Sequence, residues 1–143
     1  MKKIFRSVLF VLCASLFMFG WCKKHSSHPN NNVMTATIGT AQFNSKGGDV
    51  NVNITGPELT ITGESGNQVL TIAVANYTGN GTYHFNNGEA LGGYDNGGGT
   101  GDDAITSGTV VITQSGSTIA GTFSCATQGG TSISNGSFSV QHP

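Results

Sequence analysis

Apolar and polar residues alternate with a period of two along most of the chain after residue 33. In VNVNIT, residues 50–55, Val50, Val52 and Ile54 fall on one face, and the asparagines and threonine fall on the other. LTIT, LTIAVA, TYHF, TVVIT and GSFSVQ repeat this alternation further along the chain. One apolar and one polar face at period two is typical of half-buried antiparallel strands. The pattern therefore predicts strands, and it lacks the 3.6-residue period of an amphipathic helix.

Turn signals separate these strands, among them SKGGD, TGPE, TGNG, QSGS and TQGG. Glycine supplies positive φ, proline presets φ, and Asn and Ser bond to the local backbone. Turns at roughly 8–12-residue spacing predict an all-β fold, an antiparallel β-sandwich or barrel built from sequential hairpins. Residues 107–125 form the clearest hairpin. Gly121 and Gly136, inside strands, predict bulges or bends in the sheet.

The first 33 residues have a different pattern. Three of the six basic side chains lie in residues 1–6, and an apolar run interrupted by Ser15 extends from Val8 to Phe19. This is typical of a secretory signal peptide, because a membrane-spanning helix needs about 20 apolar residues. An uncleaved N-terminal anchor is the alternative. The next segment, CKKHSSHPNNNV, is too polar to order itself. We predict a leader at 1–21, a flexible tether at 22–33 and one all-β domain at 34–143.

Cys22 directly follows the leader. A cysteine after a short apolar run, followed by lysines and a polar stretch, is the arrangement of a lipoprotein signal, and no Ala-x-Ala cleavage site lies nearby. The bulky Trp21 departs from the small residue that usually precedes such a cysteine. We predict that Cys22 is lipidated. Ordinary cleavage and a Cys22–Cys125 disulfide are the alternatives, although Cys125 falls on the apolar face of its strand and is expected to be a buried small hydrophobe.

A series of short segments resembles a family of short lipoproteins from Bacteroidota that carry a β-rich domain of unknown function. The likeness lies in the leader ending in CKK and, in the same order, in MTATIGTAQF, LTITGES, YTGNGTY, SGTVVIT, IAGTFS and ISNGSFSV. The resemblance implies an all-β domain anchored in the outer membrane, and it supplies no catalytic residues. Lys23 rather than an aspartate follows the cysteine, so the usual cue for inner-membrane retention is absent. The resemblance leaves both the periplasmic and the cell-surface face open.

Charge narrows the range of partners. From Val33 onward the chain has one cation, Lys46, and seven acids, which gives a net charge of −6 (one minus seven) for this region. A surface with a single lysine and no arginine cannot neutralise a run of phosphates, so nucleic acid is excluded as an expected partner. The expected contacts are the membrane, through the N-terminal lipid, and an envelope protein or a glycan.

One acidic loop is a candidate metal site. GGTGDDAIT, residues 98–106, matches the calcium nonapeptide pattern G-G-x-G-x-D-x-U-x, in which each turn of a β-helix supplies ligands to the ion of the next. Only one copy occurs, but Asp95, Asp102 and Asp103 together with Asn96 could supply oxygens to one Ca²⁺. The simpler interpretation is a solvated glycine-rich loop, and no other cofactor is predicted.

Three tyrosines and one histidine are the remaining candidates. Stacked aromatic rings commonly hold sugar rings, and Tyr77, Tyr83 and Tyr94 are the polar aromatics of the domain. A glycan-binding module would gather them beside a concave face, whereas rim packing would not. His84 alternates with Tyr83 and Phe85 and is expected to face solvent. No G-x-S-x-G elbow or other nucleophile motif accompanies it, so we predict no enzyme.

These patterns together predict a lipid-anchored, extracytoplasmic β-domain at the outer membrane. It would act by binding an envelope component or as a structural envelope protein, and a glycan- or calcium-binding surface module is the alternative. A structural protein would have a smooth surface covered by Thr and Ser.

Overall fold

The computed structural model describes residues 30–99 and 101–142, and this part of the chain is all-β, as the alternation predicts. It contains ten strands and one short 3₁₀ helix, Gly47–Asp49. The strands are β1 (Val33–Ile38), β2 (Ala41–Lys46), β3 (Val50–Thr55), β4 (Glu58–Ser65), β5 (Gln68–Val74), β6 (Gly81–His84), β7 (Ala90–Asp95), β8 (Asp103–Ser115), β9 (Thr118–Thr127) and β10 (Ser132–Gln141).

The strands form an antiparallel array that nearly closes into a barrel. Hydrogen bonds join them in the order β2-β1-β10-β9-β8-β7-β5-β4-β3, and β6 pairs with β8 outside this path. Sheet A, as used below, comprises β2, β1, β10, β9, β6 and the part of β8 from Ile105 onward. Sheet B comprises β7, β5, β4, β3 and the first two residues of β8. Most neighbouring strands are consecutive in the sequence and form hairpins, which confirms the prediction of a fold built from sequential hairpins.

Strand β8 joins the two sheets because it bends. Its first residues, Asp103 and Ala104, pair with β7, whereas Thr109–Ile112 pair with β6. Between these segments the register with β9 shifts by one residue at Thr106, and Gly108 adopts φ +112°. A bulge followed by a glycine lets one strand change sheets at a corner.

The interior follows the predicted alternation. Val50 is buried and Val52 and Ile54 are half-buried, whereas Asn51, Asn53 and Thr55 are exposed. Val110 and Ile112, the two residues of TVVIT predicted to face inward, are also buried. Since every strand contributes at least one inward side chain, a single apolar core fills the space between the sheets.

Two inward glycines of sheet A lie opposite aromatic rings. Gly136 pairs with Phe123 and Gly121 pairs with Phe138, and the two rings stack with centroids 6.4 Å apart. A Cβ at either glycine would run into the opposing ring. No bulge occurs at Gly121, because the register with β10 is regular there, and the missing side chain leaves room for Phe138. The bulge predicted near Gly136 is present, immediately before it.

Two polar side chains bridge the gap between the ends of the array. Asn32, 5% exposed, donates from Nδ2 to the Val50 carbonyl (3.2 Å) and accepts from the Gln141 amide (2.8 Å). Ser45 Oγ accepts from the Glu64 amide (2.9 Å) and donates to the Asp49 carbonyl (3.0 Å). In a closed barrel, hydrogen bonds between the first and last strands would join these ends, and here the side chain of Asn32 links β3 to β10. Residues 30–33 of the segment predicted as tether therefore belong to the folded domain.

Candidate functional site

The residues that carry the localisation hypothesis lie outside the described part of the chain. These are the leader at 1–21, Cys22 and the tether up to residue 29. Within residues 30–99 and 101–142, no helix is long and apolar enough to span a bilayer. The lipidation of Cys22 therefore stays a prediction.

Cys125 lies inside sheet A. It is 6% exposed, and burial raises the pKa of its thiol to about 12. The sequence prediction of a buried small hydrophobe is confirmed.

Two carboxylates of the predicted calcium site, those of Asp95 and Asp103, accept hydrogen bonds from backbone amides in turns. Asp95 Oδ1 accepts from the Gly97 amide (2.8 Å). Both carboxylate oxygens of Asp103 accept from the Gly129 amide, at 2.9 and 3.2 Å, which fixes the β9–β10 turn against the start of β8. Aspartates commonly stabilise turns in this way, by accepting from nearby backbone amides.

The same loop borders a cleft of about 300 Å³, lined by Tyr94, Asn96, Gly101, Asp102, Asp103 and Thr131. Among the described residues, no group of three or more His, Cys, Asp or Glu side chains is placed to hold a metal ion. The geometry therefore does not support the hypothesis that Asp95, Asp102 and Asp103 together ligate Ca²⁺, and the carboxylates of Asp95 and Asp103 already accept hydrogen bonds from turn amides. Asp102 and Asp103 both line the cleft, whereas Asp95 does not.

The three tyrosines do not form an exposed platform. The rings of Tyr77 and Tyr83 lie 6.5 Å apart at a 43° tilt, and Tyr94 is in the cleft of sheet B. Tyr83 and Tyr94 are 8% and 7% exposed, so their ring faces are covered. Tyr77 donates to Gln114 Oε1 (2.7 Å) and Tyr83 donates to the Gly79 carbonyl (2.9 Å). These contacts correspond to rim packing rather than to a sugar-binding aromatic face.

His84 faces solvent, as predicted from its position between two inward aromatics. Its backbone amide donates to Glu89 Oε2 (3.0 Å). This hydrogen bond, and then one from Asn87, lower the pKa of the Glu89 carboxyl. The contact ties β6 to the loop that leads into β7.

The outer side of sheet A carries a row of six aligned residues, five of them polar and one, Val111, aliphatic. Cross-strand pairing places one outward residue from each of six neighbouring strands in register. We call this row the hydroxyl row; it consists of Thr82, Val111, Thr122, Ser137, Thr35 and Asn44. At the usual strand spacing of about 4.8 Å it extends over about 24 Å. A hydrogen bond between the side chains of Thr35 and Ser137 (2.9 Å) shows that the row is locally ordered.

Shorter rows flank the hydroxyl row and complete the outer surface of sheet A. Thr109 and Ser124 pair on one side, and Thr113, Ala120 and Ser139 follow one another on the other. These rows end at His84 and Lys46 respectively. The surface therefore has its ionisable side chains at its margins only.

All seven acids lie elsewhere. Glu58 and Glu64 are on β4, Asp95 ends β7 and Asp103 begins β8. The 3₁₀ helix and two loops hold Asp49, Glu89 and Asp102. Sheet A is consequently free of acids, and the −6 charge predicted for the domain lies on one side of the molecule and on its turns.

The sequence predicts that these strands have polar outer faces but not that they align. Alignment depends on register across six strands, of which only the β8–β9 hairpin was predicted as a unit. A signal was present in the spacing of the hydroxyl residues, T-x-x-x-T in TVVIT and S-x-S in SFS. Comparisons of the chain with protein-family models, with curated proteins and with solved structures found no match.

Proposed function

We propose that this protein is a lipid-anchored, extracytoplasmic binding module of the outer membrane that presents the outer surface of sheet A to an envelope component. Cys22 carries the lipid, and the polar residues 22–29 separate the membrane from the domain. The observation that carries the binding part is the hydroxyl row, a broad surface without acids on a strongly acidic domain.

The anchor follows from the pattern around Cys22. A single acyl chain gives only marginal membrane binding, on the order of 10⁴ M⁻¹, whereas two or more chains hold a protein stably. A lipoprotein cysteine carries several chains, so the domain would stay at the membrane surface. The resemblance to Bacteroidota lipoproteins supports the same localisation.

A purely structural role is the second candidate. The Thr- and Ser-covered surface favours it, since a structural protein needs solubility rather than a pocket. The two functions differ in whether the outer surface of sheet A is covered by a partner in the envelope.

Intact-mass analysis of protein extracted from membranes tests the anchor. The expected mass is that of residues 22–143 plus acyl groups, and Cys22→Ala should abolish both the acyl mass and membrane retention. Cys125→Ala is the control, because its buried thiol is not a lipidation site and the substitution should leave the anchor intact. An unmodified amino terminus in the native protein, with residues 1–21 still attached, would refute the anchor.

A further inference from the structure

The strongest feature of the outer surface of sheet A is a shallow groove at a bulge in β10. Between Ile133 and Gly136 the register with β9 shifts, so that Ser134 and Asn135 lie opposite Ser124 alone. The register with β1 shifts at the same place. Asn135 has φ +50°, a left-handed conformation that asparagine tolerates better than most residues.

The bulge borders a groove of about 340 Å³ that includes three consecutive members of the hydroxyl row, Val111, Thr122 and Ser137. Its outward side chains include Thr109, Val111, Thr122, Ser124, Asn135 and Ser137. Their hydroxyl and amide groups both donate and accept hydrogen bonds. Val111, 41% exposed, adds an apolar contact in the centre. The groove thus offers the two kinds of contact that a sugar ring offers, namely hydroxyl groups and C–H surface.

Charge selects among ligands for this groove. A phosphate or other polyanion is bound by cations, and Lys46 at the margin is the one Lys or Arg among the described residues. A basic partner would be attracted to sheet B and the turns, where the acids are. An apolar partner would find only one exposed aliphatic side chain, far less than a hydrophobic interface needs. A neutral, hydroxylated ligand fits what remains.

The shape selects a polymer rather than a small molecule. Small-ligand sites enclose most of the ligand surface, which this open groove cannot do. The hydroxyl row, in contrast, offers similar polar groups at regular intervals over about 24 Å. Weak contacts repeated along one chain add up to useful affinity, and the strands hold them in place before binding.

We propose that the outer surface of sheet A binds a neutral polysaccharide that lies along the hydroxyl row, with Val111 under a sugar ring and Thr122 and Asn135 as hydrogen-bonding partners. The proposal rests on the proposed function and names the chemical class of the envelope component. It replaces the stacked tyrosines expected of a glycan site by hydroxyl and amide contacts.

Co-sedimentation of the full-length, detergent-extracted protein with insoluble polysaccharides tests this. The neutral probes are cellulose, chitin, mannan and starch, and the acidic probe is cross-linked polygalacturonate. We expect retention by at least one neutral probe and none by the acidic one. Absence of retention on all four neutral probes, or stronger retention on polygalacturonate, would overturn the proposal.

Two variants locate the site. Thr122→Lys places a charge in the middle of the hydroxyl row and should weaken binding at least tenfold, whereas Asn53→Lys, at an exposed mid-strand position of sheet B, should leave binding unchanged. Asn135→Gly keeps the left-handed backbone and removes the amide, so it should weaken binding without unfolding the domain. Equal effects of Thr122→Lys and Asn53→Lys would contradict the assignment.

The experiments can refute the proposed lipid anchor and the proposed ligand independently of each other. A protein that carries acyl groups on Cys22 but binds no neutral polysaccharide refutes the ligand and leaves the anchor. Self-association of the unliganded protein that Thr122→Lys abolishes would show that a second copy covers the surface, and it would also refute the ligand.

Discussion

The two sheets share one core but differ on both of their sides. Sheet B packs aliphatic residues such as Leu59, Ile61, Leu70 and Ile72 inward, whereas sheet A places Phe123 and Phe138 over glycines. Outside, four acids lie at or next to strand ends of sheet B and three lie on the 3₁₀ helix and loops, whereas the strands of sheet A carry none. The two sheets therefore differ in side-chain packing on the inside and in the distribution of acids on the outside.

The largest expected effect concerns the interior of sheet A. In Gly121→Ala the new Cβ would lie 2.5 Å from the Val111 carbonyl oxygen and collide with the Phe138 ring. We expect the free energy of unfolding to fall by about 3 kcal/mol, since backbone cannot move aside. Gly63→Ala in sheet B meets the flexible Met34 Sδ first, at 2.9 Å, and should cost about 1 kcal/mol. Urea titrations of both variants measure the difference, and equal losses would contradict the comparison.

The second largest effect is expected where Asn32 links β3 of sheet B to β10 of sheet A. Asn32→Ala removes both bonds that join β3 and β10 and leaves the buried Val50 carbonyl and the part-buried Gln141 amide without these partners. We expect a loss of about 2 kcal/mol in the free energy of unfolding. The exposed neighbour Asn31 provides the control, and Asn31→Ala should change stability by less than about 0.5 kcal/mol. If both variants behave alike, Asn32 does not close the array.

A smaller effect is expected at the acidic corner of sheet B. Asp103→Ala removes the acceptor of the Gly129 amide, and water can partly replace it because the site is exposed. The expected loss is about 1 kcal/mol, unchanged by added calcium or by a chelator. Asp102→Ala serves as the comparison and should cost less. Stabilisation of the native protein by millimolar calcium that Asp103→Ala abolishes would restore the metal hypothesis.

The smallest effect at neutral pH concerns Cys125, in the interior of sheet A. Its pKa is raised by burial from 9.0 to about 12, so the folded protein keeps the proton longer than the unfolded chain. The contribution of the protonated Cys125 thiol to the free energy of unfolding is therefore complete below pH 9. It is lost as the pH rises from 9 towards 12. Urea titrations below pH 9 and within this window should show a steeper decline for the native protein than for Cys125→Ala. Parallel declines would mean that the thiol is not buried.

Much of the fold could be predicted because its strands are half-buried. Alternation places Val50, Val110 and Ile112 inward and His84 outward, and the turn residues separate the hairpins correctly. Strand β7 was not predicted, since ALGGYD contains two adjacent glycines and little alternation. A Cβ at Gly92 would lie 2.5 Å from the carbonyl oxygen of Thr71 on the neighbouring strand β5, a cross-strand constraint that local pattern does not reveal.

The candidate site could be predicted only in part. Which residues face outward follows from period two, but which of them become neighbours depends on register, and a single bulge at Asn135 changes it. The pattern also suggested a tether up to residue 33, because NNN resembles a linker. Asn32 belongs to the fold through two long-range hydrogen bonds, 18 and 109 residues away, which no local signal encodes.

We expect the outer surface of sheet A to be covered by a partner in the envelope and that of sheet B to remain exposed. Thiol labelling of Thr122→Cys and Asn53→Cys in intact envelopes and in purified protein tests this directly, since Cys125 is buried and Cys22 is expected to be acylated. We predict that Thr122→Cys is labelled in the purified protein but protected in envelopes, while Asn53→Cys is labelled in both. Equal labelling of the two variants in envelopes would contradict it.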